Sequence, residues 1–249
     1  MADLGRRKVA VVMPALNAAR TIASTVKAIP RDCVDEVIVV DDGSTDQTLA
    51  IARDLDVTLV WHPHNVGYGG NQKTCYLHAL QHGAEVIVML HPDGQYEPSL
   101  IPDLIEQIVA GRADLVLGSR MAERGAARAG GMPVYKIVAN RVLTGIENRV
   151  MGTRLTDLHT GYRAYSREFL LRVPFLRNAL DFSFDSEMLM QASHFGFRIS
   201  EVPTRSRYFR DASSIRFGPA SVYGLKTLWA ALRLLLHRRG IVRSRKFAS

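Results

Sequence analysis

Acidic side chains follow several apolar segments of this sequence, at points where the strands of a sheet would end. The positions concerned are the pair Asp41 and Asp42, Asp93, and Asp157. Carboxylates at strand ends can hydrogen-bond a ribose or a base, or hold a hard cation that neutralises phosphate. Any one of them could instead cap a helix or close a turn. Several on one edge of one sheet would indicate a binding site.

The first half of the chain alternates strand-like and helix-like segments, which would position these carboxylates. Continuous apolar runs predict strands at residues 9–13, 37–40, 57–60, 86–90 and 115–118. Helical patterns lie between them, at residues 18–29, 45–55, 67–82 and 100–110. Repeated units of this kind predict an α/β fold with a parallel sheet covered on both faces. Ligands bind such sheets at the carboxyl ends of the strands, where the acidic residues fall.

The pattern changes beyond Arg120. Residues 122–131 are rich in Gly, Ala and Arg, which predicts a mobile loop. Helices are predicted at residues 134–151, 184–195 and 222–236, with a strand at residues 198–202. The second half therefore adds helices and one further strand to the sheet.

The composition is that of an ordinary globular protein, with 249 residues of which 47% are hydrophobic. Cys33 and Cys75 are far apart in the sequence and in no CxxC pair, which indicates a reducing compartment and no zinc site. No basic and apolar leader follows Met1, and no uncharged apolar run reaches about 18 residues. We therefore expect a cytoplasmic protein with neither a secretory signal nor a transmembrane helix.

The net charge of +8 is concentrated at the C-terminal end. Residues 212–249 contain eight basic side chains and no acidic one, and the rest of the chain carries 24 of each sign. A protein that binds nucleic acid more often spreads its basic residues through the domain, so we expect no nucleic acid partner. The charge divides the chain into a domain of residues 1–211 and a basic amphipathic helix and tail, residues 212–249.

Apolar residues recur at helical spacing in this tail, at Val222, Leu225, Leu228, Trp229, Leu232, Leu235 and Leu236. Such a stripe most often packs into the core or forms a contact between copies of the chain, so a homo-oligomer is one interpretation of it. A tryptophan on the apolar side with arginines beyond it is also the pattern of an interfacial helix. We expect this helix to lie on an anionic membrane surface.

Five motifs, taken in order, resemble those of the family 2 glycosyltransferases with the GT-A fold. They are VVMPALN at residues 11–17, VIVVDDGSTDQT at 37–48, NVGYGGN at 65–71, HPDGQY at 91–96 and DLHTGYR at 157–163. The chain resembles in particular the branch with dolichol-phosphate mannose synthase and bacterial polyprenyl-phosphate sugar transferases. The resemblance implies a Rossmann-like GT-A fold, with a mainly parallel central sheet flanked by helices, and a nucleotide-sugar donor.

The resemblance also assigns residues to the donor. They are Pro14, Ala15, Asn17, Asp41, Asp42, Gly69, Asn71, Lys73, Gln95 and Arg120. The first three match a loop against base and ribose, the two aspartates match carboxylates that contact the nucleoside, and the glycine-rich helix entry suits close backbone approach. The opening loop of the family usually carries a glutamate after Asn17, where this chain has Ala18 and Ala19, so we infer no base contact there.

A metal site for Mn²⁺ or Mg²⁺ is likewise implied by the resemblance. Asp93 matches the second aspartate of the family's Asp-x-Asp motif, and Gln95 matches the polar residue that follows. His91 stands where the first aspartate usually stands. A neutral histidine can bind Mn²⁺, which tolerates nitrogen better than Mg²⁺ does, or it can simply support its neighbours.

Arginines and carboxylates are implied on the acceptor side. Arg163, like Arg120, matches arginines that surround the diphosphate and the acceptor phosphate, because a guanidinium binds two phosphate oxygens at once. Without the context of these motifs, Arg120 and Arg163 would each be interpreted as a member of a surface ion pair. A lid over the diphosphate is also expected, with Arg205, Arg207 and Arg210.

Glu187 and, after it, Asp185 match the region that supplies the carboxylate near the acceptor. Both could instead merely complement the helix dipole. A hydroxyl acceptor needs a general base. A phosphomonoester, with a second pKa of about 6, does not. With Asp93 and Arg163, these two carboxylates complete the expected catalytic set.

The sequence therefore predicts an inverting, metal-dependent glycosyltransferase. It would move a hexose from a UDP- or GDP-sugar to polyprenyl phosphate, as a peripheral protein at the cytoplasmic face of the cell membrane. One alternative is a soluble or glycan hydroxyl acceptor, for which the tail would be dispensable. A second alternative is a protein that binds nucleotide sugars without turnover, its metal motif having decayed at His91.

Overall fold

The computed structural model describes residues 7–205 and 217–248, which form an α/β fold around one seven-stranded sheet. The strands are β1 (Val9–Ala15), β2 (Glu36–Asp41), β3 (Thr58–Trp61), β4 (Val86–Met89), β5 (Leu115–Ser119), β6 (Arg163–Ser166) and β7 (Ile199–Pro203). The helices are α1 (Ile22–Lys27), α2 (Thr48–Arg53), α3 (Tyr68–Gln81), α4 (Ile101–Val109), α5 (Ala126–Ala129), α6 (Val134–Met151), α7 (Arg167–Arg172), α8 (Ser183–His194) and α9 (Phe217–Arg238).

The strand order is β3-β2-β1-β4-β6-β5-β7, and every neighbouring pair is parallel except the two that involve β6. The predicted mainly parallel sheet is therefore confirmed. Strand β6 is not predicted from the sequence, because its four residues contain no apolar run and begin with a charged side chain. Arg163, the first residue of β6, is nevertheless fully buried.

Side chains alternate across the central strands and build a core on each face of the sheet. Val11 and Val39 belong to the core under α1 and α4. Val12 and Ile38, one position along each strand, belong to the core under α3 and α8. Both faces of the strands are apolar because helices cover both, which explains why these strands are continuous apolar runs in the sequence.

Two predicted elements differ from the observed ones. The predicted loop at residues 122–131 contains the short helix α5. The helix predicted from residue 18 begins only at Ile22, because Ala18 first forms a turn in which its carbonyl accepts hydrogen bonds from the backbone amides of Thr21 and Ile22. The other predicted helices and strands are present, with shifted ends.

The C-terminal residues pack into the same body as the sheet. Helix α9 lies against α6 and α8, and Leu234 joins the core under α3. Phe247 is buried in that core as well. The predicted boundary between residues 211 and 212 lies outside the described residues, as do Arg207 and Arg210 of the predicted lid.

Candidate active site

The carboxyl ends of β1, β2 and β4 open onto a cleft of about 1480 Å³. Ten residues singled out in the sequence line it, namely Pro14, Ala15, Asn17, Asp42, Asn71, His91, Asp93, Gln95, Arg120 and Asp185. Five others are not part of its lining, namely Asp41, Gly69, Lys73, Arg163 and Glu187. The topology thus brings ten of the fifteen candidate residues to the cleft, and the other five lie outside its lining.

The loop after β1 is tied to the loop after β2. Asn17 adopts a left-handed conformation with φ of 51°, which asparagine tolerates better than most residues. Its backbone amide donates to Oγ of Ser44, and its Oδ1 accepts from the backbone amide of Thr45, both at 2.9 Å. This part of the cleft is therefore held in shape before any ligand binds.

The two aspartates that end β2 have different environments. Oδ1 of Asp42 accepts from the backbone amide of Val66 and lies 2.8 Å from Nδ1 of His62. Its Oδ2 accepts from the amide of Gly67. Asp41 is turned inward, where Oδ2 accepts from the amide of Ser44. Asp42 is thus the carboxylate that the cleft presents, and it also shapes the entry to α3.

The first turns of α3 contribute two cleft residues, Tyr68 and Asn71, and two packing residues. Asn71 donates to the carbonyl of Val40, and its Oδ1 has no hydrogen-bond partner among the described residues. A Cβ on Gly69 would lie 2.4 Å from the carbonyl oxygen of Ala179, so a glycine is needed there for packing. Lys73 donates to the carbonyl of Asn178, away from the cleft.

The expected metal ligands lie in the turn after β4. Oδ1 of Asp93 accepts from the backbone amide of Gln95 at 3.0 Å, and Nε2 of His91 lies 3.2 Å from Oη of Tyr68. Nowhere in residues 7–205 and 217–248 do three His, Cys, Asp or Glu side chains converge on one point. The donors are one carboxylate, one imidazole and one amide, which fit a divalent cation when a diphosphate supplies further oxygen ligands.

Asp185 lies at the cleft within a hydrogen-bond network that the sequence analysis missed. Its Oδ2 accepts from Oη of Tyr68 at 2.8 Å, and its Oδ1 accepts from Nε2 of Gln72 at 3.2 Å. Tyr68 therefore links Asp185 to His91, and no spacing in the sequence reveals this link. Burial and the neighbouring Asp185 carboxylate raise the pKa of Tyr68, which keeps its hydroxyl protonated.

Arg163 and Glu187 do not line the cleft, and both are held by contacts within the protein. Arg163 donates to the carbonyls of Leu158, Thr160 and Asp185, and so fixes the turn before β6 against α8. Glu187 accepts from the backbone amide of Ala179 at 2.7 Å and pairs with Lys246. The expected order of the two carboxylates is thus reversed, since Asp185 is the one that faces the cleft.

Arg120 reaches the cleft from the end of β5 and is paired with Asp157. Its Nε lies 2.6 Å from Oδ2 of Asp157, and its Nη2 donates to the carbonyl of His159. Burial raises the pKa of Asp157, but the charge and hydrogen bonds of Arg120 outweigh it and hold that pKa at about 2. Asp157 is therefore an ionised partner for Arg120 and not an open metal ligand.

Helices α6 and α9 form an apolar wall opposite these polar groups. Tyr135 and Val142 of α6 and Leu225 of α9 line the cleft and are more than half exposed. Lys136 lies among them, and no carboxylate among the described residues pairs with it. Burial and the nearby Arg120 both lower its pKa. The sequence analysis missed Lys136 because a lysine on a helix usually faces solvent.

A parallel sheet with an acidic cleft at its carboxyl edge is the architecture of nucleotide-binding α/β enzymes. The family model described as "Glycosyl transferase family 2" matches residues 10–173. This chain therefore belongs to glycosyltransferase family 2 and is an enzyme of that class. The resemblance noted in its five motifs is confirmed.

Similar proteins include transferases that act on polyprenyl phosphates. A UDP-N-acetylglucosamine–dolichyl-phosphate N-acetylglucosaminyltransferase of Methanococcus voltae is 29% identical, over 93% of this chain and 96% of its own length. A polyprenol monophosphomannose synthase of Mycolicibacterium smegmatis is 30% identical, over 78% of this chain and 75% of its own length.

Solved structures confirm the GT-A fold. Glucosyl-3-phosphoglycerate synthase of Mycobacterium tuberculosis, crystallised with Mg²⁺ and UDP, superimposes with a TM-score of 0.67 at 25% identity. The match covers 98% of this chain and 83% of that one. Both the fold class and the enzyme class expected from the sequence are therefore correct.

Proposed function

We propose that this enzyme transfers a hexose from a nucleotide diphosphate sugar to polyprenyl phosphate, with inversion at the anomeric carbon. The observation that carries the proposal is the division of the cleft into two walls. One wall is polar and contains Asp42, Asn71 and Asp93, while the other is the apolar side of α6 and α9. A cleft of this kind suits two substrates, one a nucleotide sugar and the other a lipid with a charged head group.

The polar wall would hold the donor. Asp42 and Asn71 lie where a nucleoside could contact them, and the oxygen of the Asn71 amide has no partner among the described groups. The Methanococcus relative takes its name from a UDP-sugar, and the mycobacterial synthase binds UDP. UDP-sugars and GDP-sugars are both candidate donors.

A divalent cation, Mn²⁺ or Mg²⁺, would be held by Asp93, His91 and Gln95 together with the donor diphosphate. Such a cation would neutralise charge on the leaving nucleoside diphosphate. The Mg²⁺ in the mycobacterial synthase supports this part of the proposal. The residues of this chain contribute one negative charge to the site, so the diphosphate itself would dominate the affinity for the metal.

Lys136 and Arg120 would bind the acceptor phosphate. Both line the cleft, and they are close enough for Arg120 to lower the pKa of Lys136. Two cations at one place suit a phosphomonoester, which is largely a dianion at neutral pH because its second pKa is about 6. An oxygen of this phosphate would attack the anomeric carbon while the bond from that carbon to the diphosphate breaks. No general base is needed for that attack.

The surroundings of the acceptor-side carboxylates support this choice of acceptor. Glu187 is tied to Lys246 and lies off the cleft. Asp185 lies at the cleft, but both of its oxygens already accept hydrogen bonds from Tyr68 and Gln72. Either oxygen would have to share or release such a hydrogen bond before it accepted a proton from a hydroxyl acceptor. A hydroxyl acceptor would therefore be activated less well than a phosphate acceptor, which needs no activation.

The apolar wall would meet the isoprenoid chain and the membrane surface. The exposed residues Val134, Tyr135, Val138, Val142 and Ile146 recur at helical spacing along α6. On α9, Val222, Leu225, Trp229 and Leu232 form a second exposed stripe, and the guanidinium of Arg233 lies over the ring of Trp229. No helix in the described part of the chain has the length and apolarity to cross a membrane. We therefore propose peripheral docking at the cytoplasmic face.

The test is transfer of label from UDP- and GDP-sugars into an organic-extractable product, with Mn²⁺ or Mg²⁺ and a short polyprenyl phosphate. We expect a lipid product from one donor, and at least a tenfold rise in acceptor KM for Lys136→Met, because it removes a charged partner of the phosphate. Arg31→Met, which removes an exposed cation far from the cleft, is the matched control. Donor hydrolysis with no lipid product would refute the lipid acceptor and favour a hydroxyl one.

A further inference from the structure

A chain of three polar side chains runs from the interior of the protein to the cleft. Glu147 of α6 is fully buried, and its Oε2 lies 3.1 Å from Nε2 of His159. Nδ1 of His159 lies 2.7 Å from Oη of Tyr223 on α9. His159 and Tyr223 line the cleft.

The buried carboxylate of Glu147 faces the imidazole of His159. Neither oxygen of Glu147 has a hydrogen-bond partner among the described residues, and neither does Nε2 of His159, so the 3.1 Å contact is an ion-pair distance and not an aligned hydrogen bond. A carboxylate in the interior without a hydrogen-bond partner is unfavourable, so this contact constrains where the imidazole can lie. The other charges near His159 are Asp157 and Arg120, which pair with each other. Glu147 is therefore the uncompensated charge that faces the imidazole.

The proton arrangement of His159 determines what the hydroxyl of Tyr223 can do. When both ring nitrogens are protonated, Nδ1 donates to Oη of Tyr223, and the tyrosine proton is available for another acceptor. When Nδ1 is unprotonated, it accepts that proton instead. Burial and the nearby Glu147 raise the pKa of Tyr223, so its hydroxyl stays protonated and remains a donor.

Tyr223 is placed near the groups that would surround the acceptor. Its Oη lies 3.5 Å from Oγ of Ser186, the residue after Asp185. Its partner His159 accepts, at its carbonyl, a hydrogen bond from Nη2 of Arg120. The hydroxyl therefore contacts the neighbour of Asp185 in α8, and it contacts the residue whose carbonyl holds Arg120.

We propose that Tyr223 donates a hydrogen bond to an oxygen of the acceptor phosphate, and that Glu147 and His159 are positioning residues that turn its hydroxyl toward that oxygen. This inference rests on the proposed function, since it needs a phosphate acceptor. It makes α9 part of the acceptor site through a polar contact, in addition to its apolar stripe.

The first test compares Tyr223→Phe with the wild-type full-length enzyme in the transfer assay with a short polyprenyl phosphate. We expect the KM for the acceptor to rise about tenfold, with the KM for the donor unchanged, because only the acceptor loses a charge-assisted hydrogen bond. Tyr162→Phe is the matched control. It also removes a buried hydroxyl, which donates to the carbonyl of Glu97 away from the cleft, and it should leave the acceptor KM unchanged.

The second test asks whether Glu147 acts through Tyr223. Glu147→Gln keeps the size of the side chain and removes the carboxylate that faces Nε2 of His159. We expect a similar rise in acceptor KM in the wild-type background and no further rise when Tyr223→Phe is already present. A merely structural role for Glu147 would make the two effects multiply, which would overturn the positioning role.

The two proposals fail in different ways. An unchanged acceptor KM in Tyr223→Phe would overturn the inference while transfer to lipid still occurs. Absence of lipid product with the wild-type enzyme would instead refute the proposed function. If Glu147→Gln does not fold, Tyr223→Phe still decides whether the hydroxyl contacts the acceptor, and the ¹⁵N chemical shifts of His159 in the wild-type protein decide whether both ring nitrogens are protonated at neutral pH.

Discussion

Two of the charged side chains that line the cleft, Arg120 and Asp185, belong to buried ion pairs. Asp157 is fully buried but holds Arg120, with a further hydrogen bond from Asn140. Asp185 lies 3.9 Å from Arg163, whose guanidinium is itself bonded to backbone carbonyls. Burying one member of such a pair without the other is costly, so the members must be placed together. Each pair therefore fixes the position of a residue that faces the cleft.

The pair of Arg120 and Asp157 predicts how stability depends on pH. The pKa of Asp157 is lowered to about 2, so its ionised form stabilises the fold at pH values above the ordinary pKa of an aspartate. This stabilisation is lost as the pH falls towards 2. Asp157→Asn should cost about 3–5 kcal/mol at pH 7, since it leaves Arg120 buried without a counter-charge. Urea unfolding of both proteins at pH 7 and at several values below pH 4 measures the difference, which should shrink in acid.

The matched control is Glu168→Gln, which breaks a pair with Arg172 in which both side chains are largely exposed. That change should cost no more than about 1 kcal/mol, because exposed ion pairs contribute little. A cost for Asp157→Asn that is as small, or that does not change with pH, would contradict the role given to this pair.

At the scale of elements, helix α6 has an exposed apolar face that, in the sequence, has the same pattern as a face that packs into the core. A sequence pattern shows which residues share a face, but not what covers that face. In the structure the covered side of α6 contains Asn140, Thr144, Glu147 and Met151, while Val134, Tyr135, Val138 and Val142 are exposed. A helix with polar residues inside and apolar residues outside is unusual in water, and it suits contact with lipid.

We predict that polar substitutions on this face weaken binding to membranes. Val138→Ser with Val142→Ser should weaken binding to vesicles that contain anionic lipid and polyprenyl phosphate by at least tenfold, because each valine loses part of about 1.5–3 kcal/mol of apolar burial. Co-sedimentation with the vesicles measures it. Leu171→Ser with Leu176→Ser, at comparably exposed positions elsewhere on the surface, is the control and should bind as the wild type does. Equal losses in both pairs would contradict a specific docking face.

At the scale of the whole molecule, the C-terminal end is fastened to the domain. Arg177 donates to the carbonyls of Arg245 and Ala248, and Gln191 donates to that of Lys246. Together with the buried Phe247, these contacts hold the end of the chain against α8, the helix that carries Asp185. Part of the basic tail expected at a membrane surface is thus used inside the protein, while Arg239, Arg243 and Arg245 are exposed.

Phe247 provides the corresponding prediction. Phe247→Ala should lower the free energy of unfolding by about 3–5 kcal/mol, since it removes a buried aromatic ring and leaves a cavity. Urea denaturation followed by circular dichroism measures the change. Ile241→Ala removes a largely exposed side chain and should stay within about 0.5 kcal/mol of the wild type. If both variants are equally stable, the C-terminal residues are an appendage after all.

Much of the sheet could be predicted from local pattern, and β6 could not. Strands such as β1 and β2 are apolar on both faces, so they are visible as continuous runs of valine and isoleucine. Strand β6 begins with Arg163, whose burial is made possible by three carbonyls and by Asp185, all from outside the strand. No local pattern contains that information.

By itself, the sequence determined the family, the α/β alternation and the acidic residues at the carboxyl edge of the sheet, because these depend on local order along the chain. The tertiary structure decided which candidates share the cleft. It placed Asp185 there and tied Glu187 to Lys246, although the two are on the same helix. It also brought Lys136 to Arg120 and joined Glu147, His159 and Tyr223. These contacts link segments far apart in sequence, and only the packing of helices on the sheet determines them.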